Sequence, residues 1–71
     1  MVTTKVFSDF KQLYMLQKIA EESKYGVGVS NKDGSIRVDA KSFIGLMALD
    51  FTKPVRIISE DEKVHEKIRR I

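Results

Sequence analysis

Few residues of this 71-residue chain are of types that carry covalent chemistry, and they are scattered. The chain holds no Cys, one His and one Pro. Without Cys, disulfide frameworks, thiol catalysis and Cys-based zinc sites are excluded, and a lone His removes the usual His-rich metal sites. That histidine, His65, stands between Val64 and Glu66 and is flanked by Lys63 and Lys67, the context of an exposed residue on a solvated helix. Acid/base pairs such as Asp33 or Asp39 with Lys41 exist, but nothing in their spacing brings them into a pocket. A thin domain offers little room for a pocket. Glu62 and Glu66 with Lys63 and Lys67 read as a solvated helix face. No enzyme activity and no cofactor are expected. Ser42 is the one nucleophile with a suggestive position, just before an apolar helix, where its hydroxyl caps orphan N–H groups. A helix N-terminus also tolerates a phosphate. A phosphoserine there would add a charge of about −1.5 to −2 without unfolding the domain.

The helix that Ser42 precedes, Phe43-Ile44-Gly45-Leu46-Met47-Ala48-Leu49, has no polar side chain. At about 100° per residue, Leu46 and Leu49 share one side while Phe43, Ile44 and Met47 share another. A two-turn helix on a sheet buries one side only. The other faces water unless Phe51 and the 50–54 loop fold over it. Phe43, Ile44 and Met47 therefore form a candidate partner site, with Met suited to adaptable contacts. Gly45 costs roughly 1 kcal/mol relative to Ala inside a helix and permits a close approach.

The elements that position this segment follow from periodicity. Val2, Thr4 and Val6 alternate as a half-buried strand. Ser8-Asp9 offers an N-cap for a helix over Phe10 to Ser23, with Leu13, Leu16 and Ala20 facing inward beside Tyr14, Ile19 and Ser23. Tyr25, Val27 and Val29 alternate again, Asn31 to Gly34 makes a hairpin turn with Gly34 left-handed, and Ile36 to Asp39 returns. After the Phe43 to Leu49 helix and Pro54, Val55 to Ser59 reads as a fourth strand. Glu60-Asp61-Glu62 opens a last helix with Val64, Ile68 and Ile71 on one face. The order βαββαβα predicts a single α+β domain over residues 1–71: an open-faced two-layer sandwich, a four-stranded antiparallel sheet with three helices on one face. The first strand–helix–strand unit leaves space for another strand between its two strands.

Composition sets the remaining bounds. A chain of this length removes only roughly 60% of its unfolded surface from water, enough for one core. At 42% hydrophobic and 32% charged it is not disordered. No apolar run approaches the roughly 18 residues that span a bilayer, and Met1 to Lys5 lacks a signal-peptide core, so a cytoplasmic location without membrane contact is expected. The formal charge of +3 comes from Lys+Arg 13 against Asp+Glu 10. The basic residues stand singly except for Lys67, Arg69 and Arg70, which complement the dipole of the last helix. A nucleic-acid footprint normally interleaves a basic stripe with aromatics, which makes a small basic nucleic-acid-binding domain a minor alternative.

The segment Ala40-Lys41-Ser42-Phe43-Ile44-Gly45-Leu46-Met47-Ala48-Leu49 resembles the regulatory-serine segment of the histidine-containing phosphocarrier (HPr) family, with lysine, serine, glycine, methionine and leucine all in place. The βαββαβα order agrees with that family along essentially the whole chain, as does Ser23-Lys24-Tyr25 at the end of the first helix. The final helix is shorter than is usual there. The family carries an isoleucine–histidine–alanine–arginine–proline segment at the start of its first helix, whose histidine takes phosphate from phosphoenolpyruvate through enzyme I. Here the stretch reads Phe10-Lys11-Gln12-Leu13-Tyr14, with Lys11 in place of the histidine and Leu13 in place of the arginine. A protonated lysine has no lone pair to attack phosphorus. The resemblance thus implies a regulatory or binding module of the sugar phosphotransferase system and carbon catabolite control that has lost carrier activity, like catabolite-repression HPr. It implies phosphorylation of Ser42 by an HPr kinase/phosphorylase, and Phe43, Ile44 and Met47 as the docking surface for that kinase and for a transcription factor of the catabolite control type. An HPr-fold adaptor that uses the same patch without modification is the alternative, and an apolar patch on a small domain also allows self-association.

Overall fold

The computed structural model describes residues 1–71. Its elements are β1 (Val2–Lys5), α1 (Phe10–Glu22), β2 (Gly28–Ser30), β3 (Arg37–Asp39), α2 (Phe43–Leu46), β4 (Val55–Ile58) and α3 (Glu62–Arg70). The strands form one open sheet in the order β1-β4-β2-β3, with antiparallel neighbours throughout. β4 occupies the space that the β1–α1–β2 unit leaves, as the element order predicts.

Register decides which side chains meet the helices. Thr3, Ile57, Val29 and Val38 lie opposite one another across all four strands. Ile57 and Val29 of this row are fully buried. The adjacent row, Thr4, Arg56, Ser30 and Arg37, points to the opposite face because successive side chains alternate. The inner face, α1, α2 and α3 bury one apolar cluster of 14 residues, and each Leu or Ile placed there contributes about 1.5–3 kcal/mol relative to exposure.

α1 forms because Asp9 accepts from Gln12 N at 2.9 Å, while Gln12 Oε1 reaches back to Ser8 N at 2.8 Å. No Gly or Pro interrupts the thirteen residues that follow, and Leu13, Leu16, Ile19 and Ala20 are buried. α3 starts on Asp61, whose carboxylate accepts from Lys63 N at 3.0 Å. It ends with Lys67, Arg69 and Arg70 in its last turn, and Lys5 Nζ donates to Ile71 O at 2.7 Å, so cations sit at its negative end.

β2 and β3 are shorter than the alternation predicts. Tyr25 leaves the ladder because its N–H goes to Ser23 Oγ at 3.1 Å, and Ile36 because its N–H goes to Asn31 Oδ1 at 3.1 Å. The turn between these strands closes on Gly34 at φ 77°, the left-handed conformation expected there.

α2 is also shorter than expected, a single turn. Beyond Leu46 the chain tightens: Ala48 N donates to Gly45 O and Leu49 N to Leu46 O, bonds that span three residues rather than four. Three residues per turn align Leu46 with Leu49, and both point into the core. No helix is long and apolar enough to cross a membrane.

Candidate functional site

α1 and α2 run side by side in opposite directions. Midway along α1, Gln17 Nε2 donates to Lys41 O, just before α2, at 3.1 Å. Near its start, Phe10 and Leu13 line a groove with Met47 and Leu49, the tail of α2. Phe7 and Phe51 complete the floor, ring edge to ring face, with centroids 5.9 Å apart and planes at 88°. Ser8, Asp9 and Thr52 form its polar rim. The depression measures about 490 Å³, within the roughly 300–1,000 Å³ common to binding pockets.

The expected patch on α2 divides. Ile44 is 87% exposed and Met47 46%, so these two stand on the surface one turn apart. Phe43 instead turns inward and packs against the core: three residues before Leu46, it lies only about 60° around the helix from that buried side chain. Phe51 lies beside Met47 in the groove and leaves Met47 and Ile44 uncovered. Phe10, 68% exposed, adds an aromatic ring that the sequence reading did not single out. A signal was present: Phe10 directly follows the N-cap Asp9, one turn before Leu13, and a bulky apolar residue there has no core to enter. Tyr14, one turn along α1, is also exposed, with the Lys18 ammonium 5.9 Å from its ring centre.

Ser42 is exposed and caps α2, its Oγ accepting from Gly45 N at 3.0 Å. Gly45 leaves that bond uncrowded. A Cβ there would lie 3.2 Å from Ser42 Oγ and 3.5 Å from Val38 Cβ on β3. The contact with Val38 is an ordinary one, so the crowding a side chain would bring falls on the serine hydroxyl.

Lys11 is exposed in the first turn of α1 and is not part of the groove wall. Leu13 is buried and forms part of the groove floor. The N-terminus of α1, where backbone N–H groups would otherwise favour an anion, is already occupied by the Asp9 carboxylate. Asp50, beyond the rim, is held below its usual carboxylate range by the Thr52 hydroxyl, then by the Thr52 N–H, with a smaller contribution from Lys53.

His65 is not the surface residue that its charged neighbours suggest. It is 1% exposed and bridges two segments: Nε2 lies 2.9 Å from Ser59 O and Nδ1 2.6 Å from Thr3 Oγ1. Helical geometry provides the reason. His65 lies about 60° around the helix from Ile68, at the border of the buried arc, and both of its nitrogens find partners there. It lies in the core, in α3, whereas the groove belongs to α1 and α2.

Compared with protein-family models, with curated proteins and with solved structures, the chain matches none.

Proposed function

We propose that this chain is a non-catalytic binding module that engages a partner protein through the surface shared by α1 and α2, with Ser42 as a regulated residue at its border. The observation that carries the reading is the run of uncovered apolar side chains Phe10, Met47 and Ile44 beside an exposed serine hydroxyl. Apolar patches of this type on small domains mark partner sites, and truncating their central side chains is what abolishes binding. The Lys41 to Leu49 segment carries the resemblance to the histidine-containing phosphocarrier family, and an antiparallel sheet with three helices is compatible with it. On that basis an HPr kinase/phosphorylase and a transcription factor of the catabolite control type are the partners to test first. A phosphate on Ser42 would stand where the exposed hydroxyl now accepts from Gly45 N, one residue after Lys41, and would add negative charge beside Ile44.

Phosphocarrier activity is not part of the proposal. Lys11 offers a protonated ammonium, and a phosphoryl group brought to the start of α1 would meet the Asp9 carboxylate. The test is intact mass after two incubations, one with ATP and HPr kinase/phosphorylase, one with phosphoenolpyruvate and enzyme I. One added phosphate in the first alone, lost in Ser42→Ala, supports the regulated module. A phosphate from enzyme I defeats it. No phosphate in either removes the regulation and leaves the unmodified adaptor, for which Met47→Asp abolishes binding and Ser42→Ala does not.

A further inference from the structure

Resting on the reading that α1 and α2 bind a protein, we infer that the Phe10–Met47 groove accepts a bulky apolar side chain of a partner that carries a lysine or arginine beside it. The floor calls for the apolar part: Phe7, Phe10, Leu13, Met47, Leu49 and Phe51 supply it. The rim calls for the cation. Ser8 Oγ already donates to Gln12 Oε1 at 3.1 Å. The Thr52 hydroxyl and N–H are both turned to Asp50 Oδ1. Asp9 uses Oδ1 for Gln12 N, which leaves Oδ2 to accept. The side-chain donors of the rim are spent, and what remains is a carboxylate and hydroxyl lone pairs. No lysine or arginine lines the groove. A carboxylate or phosphate of a partner would meet the like charge of the Asp9 carboxylate, whereas an ammonium or guanidinium would pair with its Oδ2.

The occupant is a segment of a protein rather than a small molecule because the apolar surface continues past the groove. Ile44 stands three residues before Met47, about one turn back along α2, and Tyr14 follows Phe10 by one turn of α1. A ligand that filled the groove alone would leave both in water. A peptide that anchors one side chain between Phe10 and Met47 covers them with its flanks.

The experiment selects a random dodecapeptide library displayed on phage against the whole chain, with the double variant Phe10→Ala, Met47→Ala as counter-selection. Affinities of the selected peptides are then measured by fluorescence anisotropy. The inference expects Leu, Phe or Met adjacent to Lys or Arg in the selected sequences. Asp9→Asn, which keeps an N-cap of equal quality, should weaken them about two- to fivefold, as for an exposed charge pair. Met47→Ala should weaken them about tenfold or more, as for a central anchor. Selected peptides with Asp or Glu beside the anchor, or affinities indifferent to Asp9→Asn, overturn this inference and leave the α1–α2 reading standing. Absence of enrichment over the counter-selected variant, or affinities indifferent to Met47→Ala, overturns both. Circular dichroism of each variant separates lost binding from lost fold.

Discussion

Thr3 and His65, 62 residues apart in the chain, meet at 2.6 Å between Oγ1 and Nδ1. The partner on the other side fixes the direction of that bond. Ser59 O can only accept, so Nε2 carries a proton and donates to it at 2.9 Å. In the neutral ring Nδ1 is then an acceptor, and the Thr3 hydroxyl donates to it. One imidazole thereby ties β1 to α3 and to the segment that leads into α3.

This relationship predicts that Thr3→Val, nearly isosteric but without the donor, costs about 1–3 kcal/mol because it leaves a buried nitrogen unpaired. His65→Ala removes the ring and leaves the Ser59 carbonyl without its partner, and is expected to cost more, about 2–5 kcal/mol, in line with other large-to-small core changes. Urea unfolding followed by circular dichroism reads both. A Thr3→Val midpoint equal to that of the unaltered chain would show that the bond contributes nothing net.

Much of the fold was legible in the sequence, because α1, α3 and β4 have periodic apolar residues and strong caps at Asp9 and Asp61. The misread places have local physical causes. Ser23 and Asn31 side chains take backbone N–H groups that alternation alone assigns to strands. The tightening after Leu46 depends on bonds that residue spacing at 3.6 per turn does not reveal. His65 was hidden because its flanking charges are visible in sequence and its partners, from β1 and from the segment between β4 and α3, are not. The groove was only half legible: Met47 came from helical spacing, while Phe10 and Asp9 join it through the antiparallel placement of α1 and α2, a tertiary fact.

Asp61 predicts an acid limit to stability. The Ser23 hydroxyl donates to its Oδ2 at 2.7 Å, the largest cause of a value held below the ordinary 3.8, with further lowering from the Lys63 N–H and the Lys63 charge. A carboxylate held low in the folded state contributes stability that is fully present above its unfolded value and lost as pH falls through its folded value. Unfolding free energy should therefore decline below about pH 4 through this residue. In Asp61→Asn, which keeps the helix cap, that part of the decline should disappear, and in Ser23→Ala it should shrink. Denaturant midpoints between pH 2 and pH 6 check this. Parallel curves for all three proteins would defeat it.

Ser42 and Gly45 predict non-additive behaviour. Ser42→Ala alone removes a cap and is expected to cost about 1 kcal/mol. Gly45→Ala alone places a methyl 3.2 Å from Ser42 Oγ and 3.5 Å from Val38 Cβ, so the usual helix gain of about 1 kcal/mol is offset by displacement of the serine. With Ser42→Ala already present the methyl meets no hydroxyl, and more of that gain should be recovered. A double-mutant cycle in urea measures the coupling, expected at about 0.5 kcal/mol or more for residues in contact. Strict additivity would show that the methyl and the Ser42 hydroxyl do not crowd each other.

Ile44 and Leu46, two residues apart on α2, should respond oppositely to the same change. Ile44 is 87% exposed and Leu46 is fully buried. Ile44→Asp places a charge in water and is expected to alter stability by no more than about 0.5 kcal/mol, while removing the apolar edge that a partner would cover. Leu46→Asp buries an unpaired carboxylate in the core and should unfold a domain whose total stability is only about 5–15 kcal/mol. Because α2 is a single turn, this contrast also tests which side of it faces the sheet. Thermal unfolding of the two variants reads the outcome directly: a cooperative transition for Ile44→Asp near that of the unaltered chain, and none for Leu46→Asp. A large loss for Ile44→Asp would mean that its side chain is covered in solution, and the docking surface on α1 and α2 would then have to be redrawn around Phe10 and Met47.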